Sequence, residues 1–311
     1  MSGPGVEIRG CRSREELEQV VALCDAAFPK TPREYFERHI LNDRTLSLAD
    51  TRVLVKERAI ISSVQVFPRA LAWKGKMIGM GGIGNVATLP SERGRGYAGM
   101  VLRDALGYLR EKEVPFSLLT TTINPYYERF GYRTIKRRIV VRELQSARRH
   151  AQIRVFNRDR DLTRVMEIYE RFNLGRLGPL VRDGDYWRTQ LEFCGEDRSL
   201  FLIYESEDEL RGFIRARKEA DAVQVLEYGC ASNRKEIIPS LFEHLSCAAE
   251  MNRLKLFVSE AEKMDLSFGD TDSVRTDTDL MVNILDSGVD SEFKEGLQRD
   301  YQLTFWLTDL F

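Results

Sequence analysis

The fold is decided by the stretch Asn85-Val-Ala-Thr-Leu-Pro-Ser-Glu-Arg-Gly-Arg-Gly-Tyr-Ala-Gly99. Its first residues favour a strand, its middle is a basic turn interrupted by glycines, and its end opens onto an amphipathic helix. A turn of this kind directs several backbone N–H groups at one point, and the positive end of the helix dipole lies behind them. The stretch therefore predicts a binding site for a di-anion such as a pyrophosphate.

Two common phosphate sites fit this turn poorly. A P-loop requires Lys-Ser or Lys-Thr after its last glycine, whereas Tyr97 and Ala98 follow Gly96 here. The glycine spacing matches a dinucleotide fingerprint, but in that fold the first glycine follows the strand directly and an acidic residue ends the next strand. In this chain other residues intervene after the strand, and the next predicted strand, 116–121, ends in hydroxyls. Both sites are therefore disfavoured.

A third kind of phosphate site fits the turn. One predicted helix and one predicted strand later, the chain reads Asn124-Pro-Tyr-Tyr-Glu-Arg-Phe-Gly-Tyr132. The two stretches in this order resemble the acetyl-CoA site of the GNAT acetyltransferases. The family's turn reads Gln/Arg-x-x-Gly-x-Gly/Ala, and its first position falls on Ser91, a mild departure because the phosphate contacts are expected from the backbone. The resemblance implies acetyl-CoA as co-substrate, held by Val86, Ala87, Thr88, Arg93, Gly94, Arg95, Gly96, Tyr97, Ala98 and Asn124.

The resemblance gives these coenzyme-binding residues different tasks. Residues 86–88 end the predicted fourth strand where it splays from its neighbour, so their backbone can hold the pantetheine amide and polarise the thioester. Gly94 and Gly96 let the backbone approach the phosphates, because any side chain there would hold them away. Arg93 and Arg95 either add positive charge to the phosphates or are solvated surface residues, and the sequence leaves both interpretations open.

Tyr127 occupies the position of the family's proton donor. When an amine attacks the thioester, the departing thiolate needs a proton, and a phenol within hydrogen-bond reach can supply it. The alternative is a tyrosine packed in the core, which is the interpretation we give to Phe130 and Tyr132. Asn124, just before a proline, orients either the turn or the coenzyme.

The chain contains the same opening twice. Residues 6–10 predict a strand, and a helix with a capping box at Ser13 and Glu16 follows. Residues 152–156 predict a second strand, followed by a helix beginning after Asn157. The sequence therefore predicts a mixed α/β (α+β) fold with two tandem GNAT-like domains, each a twisted mixed sheet flanked by helices.

The two predicted domains differ in function. We assign residues 1–145 to a catalytic domain with the acetyl-CoA site, and residues 151–311 to a second domain with a C-terminal tail. After its fourth predicted strand, 222–230, the second domain has no glycine that would bring its backbone against a phosphate. We therefore expect the second domain to be degenerate and to lack a coenzyme site.

Tandem GNAT domains of which only the first is intact resemble the Eis-type acetyltransferases. The stretch 178–187 is also similar to the opening of that group's second domain. The sequence ends at Phe311, without room for the group's sterol-carrier-like third domain. We therefore expect no function that depends on that domain.

The general base is not evident from the predicted fourth strand. Many relatives carry a carboxylate on this strand, but residues 82–88 contain none. In the Eis-type group the C-terminal carboxylate of the chain enters the first domain's pocket and takes the proton, so the resemblance makes Phe311 a candidate catalytic residue. The apolar tail 305–311 is predicted to pack rather than fray. The alternative is that the amine loses its proton to water.

Composition indicates a soluble cytoplasmic enzyme. The chain has 311 residues, a hydrophobic fraction of 43% and a formal net charge of −1, which argues against nucleic acid or a membrane surface as a partner. Its five cysteines are scattered and its three histidines lie away from both motifs, so we expect reduced thiols and no metal site. The sequence leaves the oligomeric state open, a homo-oligomer included.

Taken together, these features predict an acetyl-CoA-dependent N-acetyltransferase that transfers the acetyl group directly to a primary amine. The acceptor is a small molecule or a peptide or protein amine, and no motif in the sequence encodes which. The alternative is a non-enzymatic acyl-CoA sensor or scaffold that keeps the coenzyme turn but lacks a base. The second domain is expected to form one wall of the acceptor pocket.

Overall fold

The computed structural model describes residues 5–193, 197–266, 272–286 and 288–309. Within these residues the chain forms fourteen strands and nine α-helices, and the strands build two mixed seven-stranded sheets. The predicted mixed α/β fold class is thereby confirmed. None of the described helices is both long and apolar enough to cross a membrane.

The elements follow one another along the chain in two similar series. In chain order the strands are β1 (Val6–Gly10), β2 (Thr51–Lys56), β3 (Ala59–Trp73), β4 (Lys76–Thr88), β5 (Phe116–Thr120), β6 (Arg133–Thr134), β7 (Arg137–Glu143), β8 (Ile153–Val155), β9 (Phe201–Ser206), β10 (Glu209–Lys218), β11 (Val223–Cys230), β12 (Arg253–Val258), β13 (Ser273–Asp277) and β14 (Leu280–Ile284). The helices are α1 (Arg14–Ala27), α2 (Arg33–Leu41), α3 (Tyr97–Glu111), α4 (Asn124–Glu128), α5 (Arg158–Asn173), α6 (Gly184–Phe193), α7 (Arg234–Ala249), α8 (Glu260–Asp265) and α9 (Ser291–Gln298).

The first sheet has the strand order β1-β2-β3-β4-β5-β14-β6, and only its β4–β5 pair is parallel. Helices α1 and α2 cover one face and α3 covers the other. On β2, Val53 packs with the α1–α2 side while its neighbour Leu54 packs with the α3 side. This is expected for a strand buried on both faces, because successive side chains point to opposite sides.

The second sheet has the strand order β13-β7-β12-β11-β10-β9-β8, and only its β11–β12 pair is parallel. Helices α5 and α7 contribute to its core, which contains Trp187, Phe213 and Leu241. The second sheet therefore repeats the plan of the first, with one parallel pair at the centre and antiparallel strands on both sides.

The two sheets exchange strands. Strand β7 precedes the predicted domain boundary along the chain but lies in the second sheet, between β12 and β13. Strand β14 comes from the last part of the chain but lies in the first sheet, between β5 and β6. The boundary predicted between residues 145 and 151 therefore divides the chain but not the sheets. The local sequence of a strand predicts how its side chains alternate between the two faces, but not which distant strand it pairs with. For this reason the predicted boundary does not divide the sheets.

Segment 177–182 joins the two halves. The N–H of Val181 donates to the carbonyl oxygen of Ala70 on β3 (2.8 Å), and Leu180 forms a β-bridge with Leu71. The same segment contacts the C-terminal tail, because the N–H of Thr304 donates to the carbonyl of Leu177 (2.8 Å). The second half is thus bonded directly to a central strand of the first sheet.

The predicted repeat of the chain opening is confirmed by matching ion pairs. On β1, the Arg9 guanidinium forms two hydrogen bonds with the Glu16 carboxylate of α1, at 2.8 and 2.7 Å. On β8, Arg154 forms the same two bonds with Asp161 of α5, at 2.7 and 2.8 Å. Each half therefore opens with a strand tied to the first turn of its helix by a forked arginine–carboxylate pair.

The two helix caps follow the sequence prediction in part. Asn157 Oδ1 accepts a hydrogen bond from the N–H of Arg160, as expected at an N-cap. Ser13 Oγ likewise accepts from the N–H of Glu16 (3.3 Å). The predicted capping box is only half formed, because the Glu16 carboxylate accepts from the N–H of Arg12 (2.8 Å) rather than that of Ser13. The pairing of Glu16 with the preceding strand accounts for this shift.

Candidate active site

A crevice opens in the first sheet where its parallel strands part. Strands β4 and β5 pair from Met80 opposite Phe116 to Gly82 opposite Leu118. Beyond that point β4 continues to Thr88 without pairing to β5, so its last residues border a gap between the two strands. The predicted splay of this strand is therefore present in the structure.

A β-bulge shapes the β4 side of this crevice. The β3–β4 register shifts so that Asn85 and Val86 together oppose Val64. Asn85 has a φ of +47°, in the left-handed region that asparagine tolerates better than most residues. On the other side of the bulge, Ser62 Oγ donates to the carbonyl of Ala87 (2.8 Å). The sequence prediction missed this bulge, and the only local signal was an asparagine in an otherwise apolar and glycine-rich strand.

The glycine turn lies at the end of this crevice, directly before α3. Gly94 and Gly96 have φ values of +79° and +80°, and a Cβ built on either glycine meets no atom within 4 Å. Within the described part of the chain, the backbone N–H groups of residues 94–99 find no hydrogen-bond acceptor, and the first N–H to do so is that of Met100, which donates to Gly96 (3.1 Å). The turn therefore presents a row of free amides next to open space, at the positive end of a helix.

The two arginines of the turn are placed differently from a pair of phosphate ligands. The Arg93 side chain bends away from the turn and donates to the carbonyl of Ala27 at the end of α1 (2.8 Å). The N–H of Arg93 donates to the carbonyl of Pro90 (3.5 Å), so the first free amide of the turn is that of Gly94. Arg95 is largely exposed and pairs with Glu92 (3.4 Å), which also accepts from Lys56 (3.1 Å). The cations beside the turn are thus partly neutralised by one carboxylate.

Tyr127 lies on α4 with only 8% of its surface exposed. Its ring meets that of Tyr126 edge to face, with centroids 5.0 Å apart. Burial, reinforced by Tyr126, raises the pKa of the Tyr127 phenol to about 12. The hydroxyl therefore keeps its proton through the neutral range.

The fold brings the second motif up against the first. A Cβ built on Gly99, in the first turn of α3, would lie 3.1 Å from the ring of Phe130 and 3.7 Å from the hydroxyl of Tyr126. The two stretches quoted from the sequence are therefore neighbours in space, with no room for a side chain between them. Phe130 is partly buried against the same core.

Two other residues of the second motif serve the fold. Tyr132 is buried, and its hydroxyl shares a hydrogen bond with Ser117 Oγ (2.7 Å), which confirms its prediction as a packed core residue. Asn124 Nδ2 donates to Thr134 Oγ1 (2.7 Å) and to the carbonyl of Thr278 (2.8 Å). These bonds tie the start of α4 to β6 and to the segment before β14, so the amide nitrogen orients the turn.

Comparison with known proteins decides the family of this domain. Residues 7–135 match the family model described as "Acetyltransferase (GNAT) domain". The first half of the chain contains a GNAT domain. GNAT proteins form an acyltransferase family, and the predicted resemblance is confirmed. A comparison with curated proteins found no match.

Solved structures share the fold over most of this chain. A probable N-acyltransferase from Enterococcus faecalis V583 has a TM-score of 0.69 at 18% identity and covers 90% of this chain and 73% of its own. Eis1 from Mycobacterium abscessus has a TM-score of 0.65 at 16% identity and covers 90% and 74%. An N-myristoyltransferase from Saccharomyces cerevisiae, with bound myristoyl-CoA, has a TM-score of 0.59 at 11% identity and covers 91% and 80%. At these identities the likeness shows the fold alone.

A second crevice, in the half that follows the GNAT domain, is filled by the chain itself. Strands β11 and β12 pair only at Val223–Leu254 and Gln224–Lys255 before they part. The tail runs through the gap, with the Trp306 ring 5.3 Å from that of Tyr228 on β11. Beyond β12, Thr304 Oγ1 and Ser259 Oγ share a hydrogen bond of 2.7 Å. The predicted packing of the tail is confirmed as far as Asp309, and Phe311 lies outside the described residues.

Buried charges hold the tail in this second crevice. Arg182 contacts Asp309 on the tail (2.9 Å) and Glu227 on β11 (2.6 Å), and Arg215 also pairs with Glu227 (2.9 Å). Thr308 Oγ1 donates to Glu227 as well (2.6 Å). Burial by itself would raise the pKa of Glu227, but the two arginines outweigh it and lower this pKa to about 2. For Asp309 burial is the larger effect, and it raises the pKa of that carboxyl.

The sequence prediction missed this network. Its only signal was Glu227, the single charged residue of β11, since Arg215 is one of several charged residues on β10. Both side chains are fully buried, and a buried charge needs a partner. Arg182 and Asp309 are distant along the chain, so no local pattern joins them to the pair.

Proposed function

We propose that this chain is an acetyl-CoA-dependent N-acetyltransferase that transfers the acetyl group directly to a primary amine. One observation carries the proposal, namely the row of free backbone N–H groups at residues 94–99, at the start of a 15-residue helix and beside the β4–β5 crevice. Such a row, with the helix dipole behind it, binds a pyrophosphate group without further cations. The family of the first domain supports an acyl-CoA ligand.

Each part of the coenzyme has a matching part of the crevice. The backbone of residues 94–98 holds the pyrophosphate. The pantetheine arm lies between β4 and β5, where the backbone groups of residues 86–88 that face β5 rather than β3 can bond its amides. An N–H at the same strand end polarises the thioester carbonyl, and such donors stabilise the oxyanion that forms during acyl transfer.

Tyr127 is the proposed proton donor. The amine nitrogen attacks the thioester carbon, the carbon–sulfur bond breaks, and the departing thiolate takes the phenolic proton. At neutral pH this phenol carries its proton, as a phenol with the ordinary pKa of about 10 also does, so the proton is available when the thiolate forms. The proton lost by the amine goes to water or to a base, and the assignment of that base to the carboxylate of Phe311 stays a prediction.

The second half supports the acceptor side in this proposal. Tyr186 of α6 lies beneath the guanidinium of Arg69 on β3, 4.6 Å from the ring centroid. Together with the bonds of segment 177–182 to β3, this contact places the second half against the strand that borders the β4 bulge. We therefore propose that the part of residues 151–311 around segment 177–186 forms one wall of the acceptor pocket.

An assay of free CoA separates this proposal from its rival. Release of CoA from acetyl-CoA is followed with and without a panel of primary amines. Release that depends on an amine supports the transferase. Slow hydrolysis that no amine accelerates supports an acyl-CoA sensor or scaffold, a function favoured by one observation, the lack of a carboxylate in residues 82–88.

A further inference from the structure

Gln65 links the bulge of β4 to helix α2. Its side chain is buried, with 1% of the residue exposed. Gln65 Oε1 accepts a hydrogen bond from Asn85 Nδ2 (2.6 Å), and Gln65 Nε2 donates to the carbonyl of His39 (2.8 Å). A carbonyl can only accept and an amide NH₂ can only donate, so the two bonds together fix the orientation of both amides.

Asn85 adopts a conformation that needs such support. Its φ of +47° lies in the left-handed region, where an L-residue loses about 1–2 kcal/mol relative to the right-handed region. The bulge also takes Asn85 and Val86 out of regular pairing with β3. A side-chain bond to a fully buried partner offsets part of this loss and selects one backbone conformation.

We propose that Gln65 is a positioning residue of the acyl-transfer site. By holding Asn85 in the bulge conformation, it aims the backbone of the next residues, 86–88, at the thioester. Gln65 touches neither the coenzyme nor the acceptor and acts through Asn85. The inference rests on the proposed function, because it concerns the geometry of the same strand end.

The corresponding part of the second sheet supports a link between the Gln65–Asn85 hydrogen bond and an open crevice. The β10–β11 register also shifts, and the extra residue there is Leu226, which has no positive φ. The polar groups next to it, Arg215 and Glu227, bond to each other. Glu227 also accepts from the tail residue Thr308. A bulge without a left-handed residue thus accompanies the filled crevice.

The test replaces Gln65 by leucine and measures acetyl transfer and coenzyme affinity separately. Removal of one oxyanion donor lowers kcat by about 10²–10³-fold in known enzymes, so misaligning such a donor in Gln65→Leu should lower kcat by about 10–10²-fold. The Kd for CoA should stay nearly unchanged, because the glycine turn is intact.

Rescue by a second substitution distinguishes positioning from general stability. Adding Asn85→Gly to the Gln65→Leu variant restores no hydrogen bond, but glycine adopts positive φ without strain. The double variant should therefore recover most of the lost kcat. A double variant as slow as Gln65→Leu, or a Gln65→Leu variant with the kcat of the parent chain, would overturn the proposal.

Gln224 provides a matched control. It is also buried, lies on β11 of the second sheet, and donates through Nε2 to the carbonyls of Val225 and Lys255, both at 2.9 Å. Gln224→Leu should lower the free energy of unfolding by about as much as Gln65→Leu does, and it should leave kcat unchanged. Failure of the parent chain to release CoA with any amine would contradict the proposed function itself, whereas the Gln65 outcomes bear on an active enzyme.

Discussion

The two halves of this chain build the same crevice and use it in different ways. In each sheet one central parallel pair parts after a few residues, β4–β5 in the first and β11–β12 in the second. The first crevice leads to two glycines of positive φ and to free amides. The second leads to Asn233 and α7, and the tail residues Trp306 and Thr308 contact β11 beside it. We therefore propose that the same topology serves as a binding site in the first sheet and as a structural joint in the second, according to a few residues after one strand.

The two crevices also differ in how their polar groups are satisfied. In the second, Arg182, Glu227 and Asp309 are fully buried and bond to one another, so they are available to the tail and not to a ligand. In the first, the amides of residues 94–99 have no acceptor within the described part of the chain. Since backbone N–H groups in folded proteins are normally paired with protein or water, the free row supports our proposal that the first crevice receives the ligand.

The largest effect is expected from removing the proposed proton donor of the first crevice. Tyr127→Phe should lower kcat by about 10²–10⁴-fold, because the thiolate then leaves without a proton from the enzyme. The Kd for CoA, measured by calorimetry, should not change. Tyr132→Phe is the control, because the Tyr132 hydroxyl bonds only to Ser117 among the described residues. This variant should have the kcat of the parent chain. Equal kcat values for Tyr127→Phe and the parent chain would remove Tyr127 from the mechanism.

The next largest effect concerns the joint formed by the second crevice. Arg182→Met leaves two buried carboxylates without their shared cation, and breaking a buried pair in this way destabilises a protein by about 3–5 kcal/mol. Urea unfolding measures the loss. The control is Arg188→Met, which removes an exposed pair with Asp185 and should change stability by about 0–1 kcal/mol. Equal losses in the two variants would mean that the network does not anchor the tail.

A smaller and more specific effect is expected at the glycine turn. Gly96→Ala places a side chain at a φ of +80°, which destabilises the fold by about 1–2 kcal/mol and shifts the backbone amides. If the shifted backbone loses one charge-assisted hydrogen bond to the phosphates, worth about 1.5–3 kcal/mol, the Kd for CoA should rise by about 10–100-fold.

Gly175→Ala is the matched control for that substitution. Gly175 has a φ of +83° and the same open surroundings, but it lies in the second half of the chain. The two variants should show similar losses in thermal unfolding, whereas only Gly96→Ala should weaken CoA binding. Similar affinities in both variants would mean that the turn does not hold the phosphates.

Local patterns in the sequence predicted the parts of the molecule that local physics controls. The amphipathic helix predicted after the glycine turn is α3, and its residues Val101, Leu102 and Ala105 are fully buried. The splayed strand end was also predicted correctly. The cap at Asn157 and the packed Tyr132 were likewise found. These features depend on residues a few positions apart or on one side chain's preference for burial.

Features that join distant parts of the chain could not be predicted. The exchange of β7 and β14 depends on strand pairings across more than a hundred residues. The contact of Arg93 with Ala27 spans 66 residues, so the sequence could only leave the role of Arg93 open. The contact of Arg182 with the tail residue Asp309 likewise joins distant parts of the chain and could not be predicted. The bulge at Asn85 is local, but its brace by Gln65 comes from the neighbouring strand.

Titration of CoA into the intact chain by isothermal calorimetry tests the central claim most directly. We predict one site per chain, lost or strongly weakened in Gly96→Ala and retained in Gly175→Ala. No binding at all, or two equivalent sites per chain, would contradict the distinction between an open first crevice and a second crevice closed by the tail.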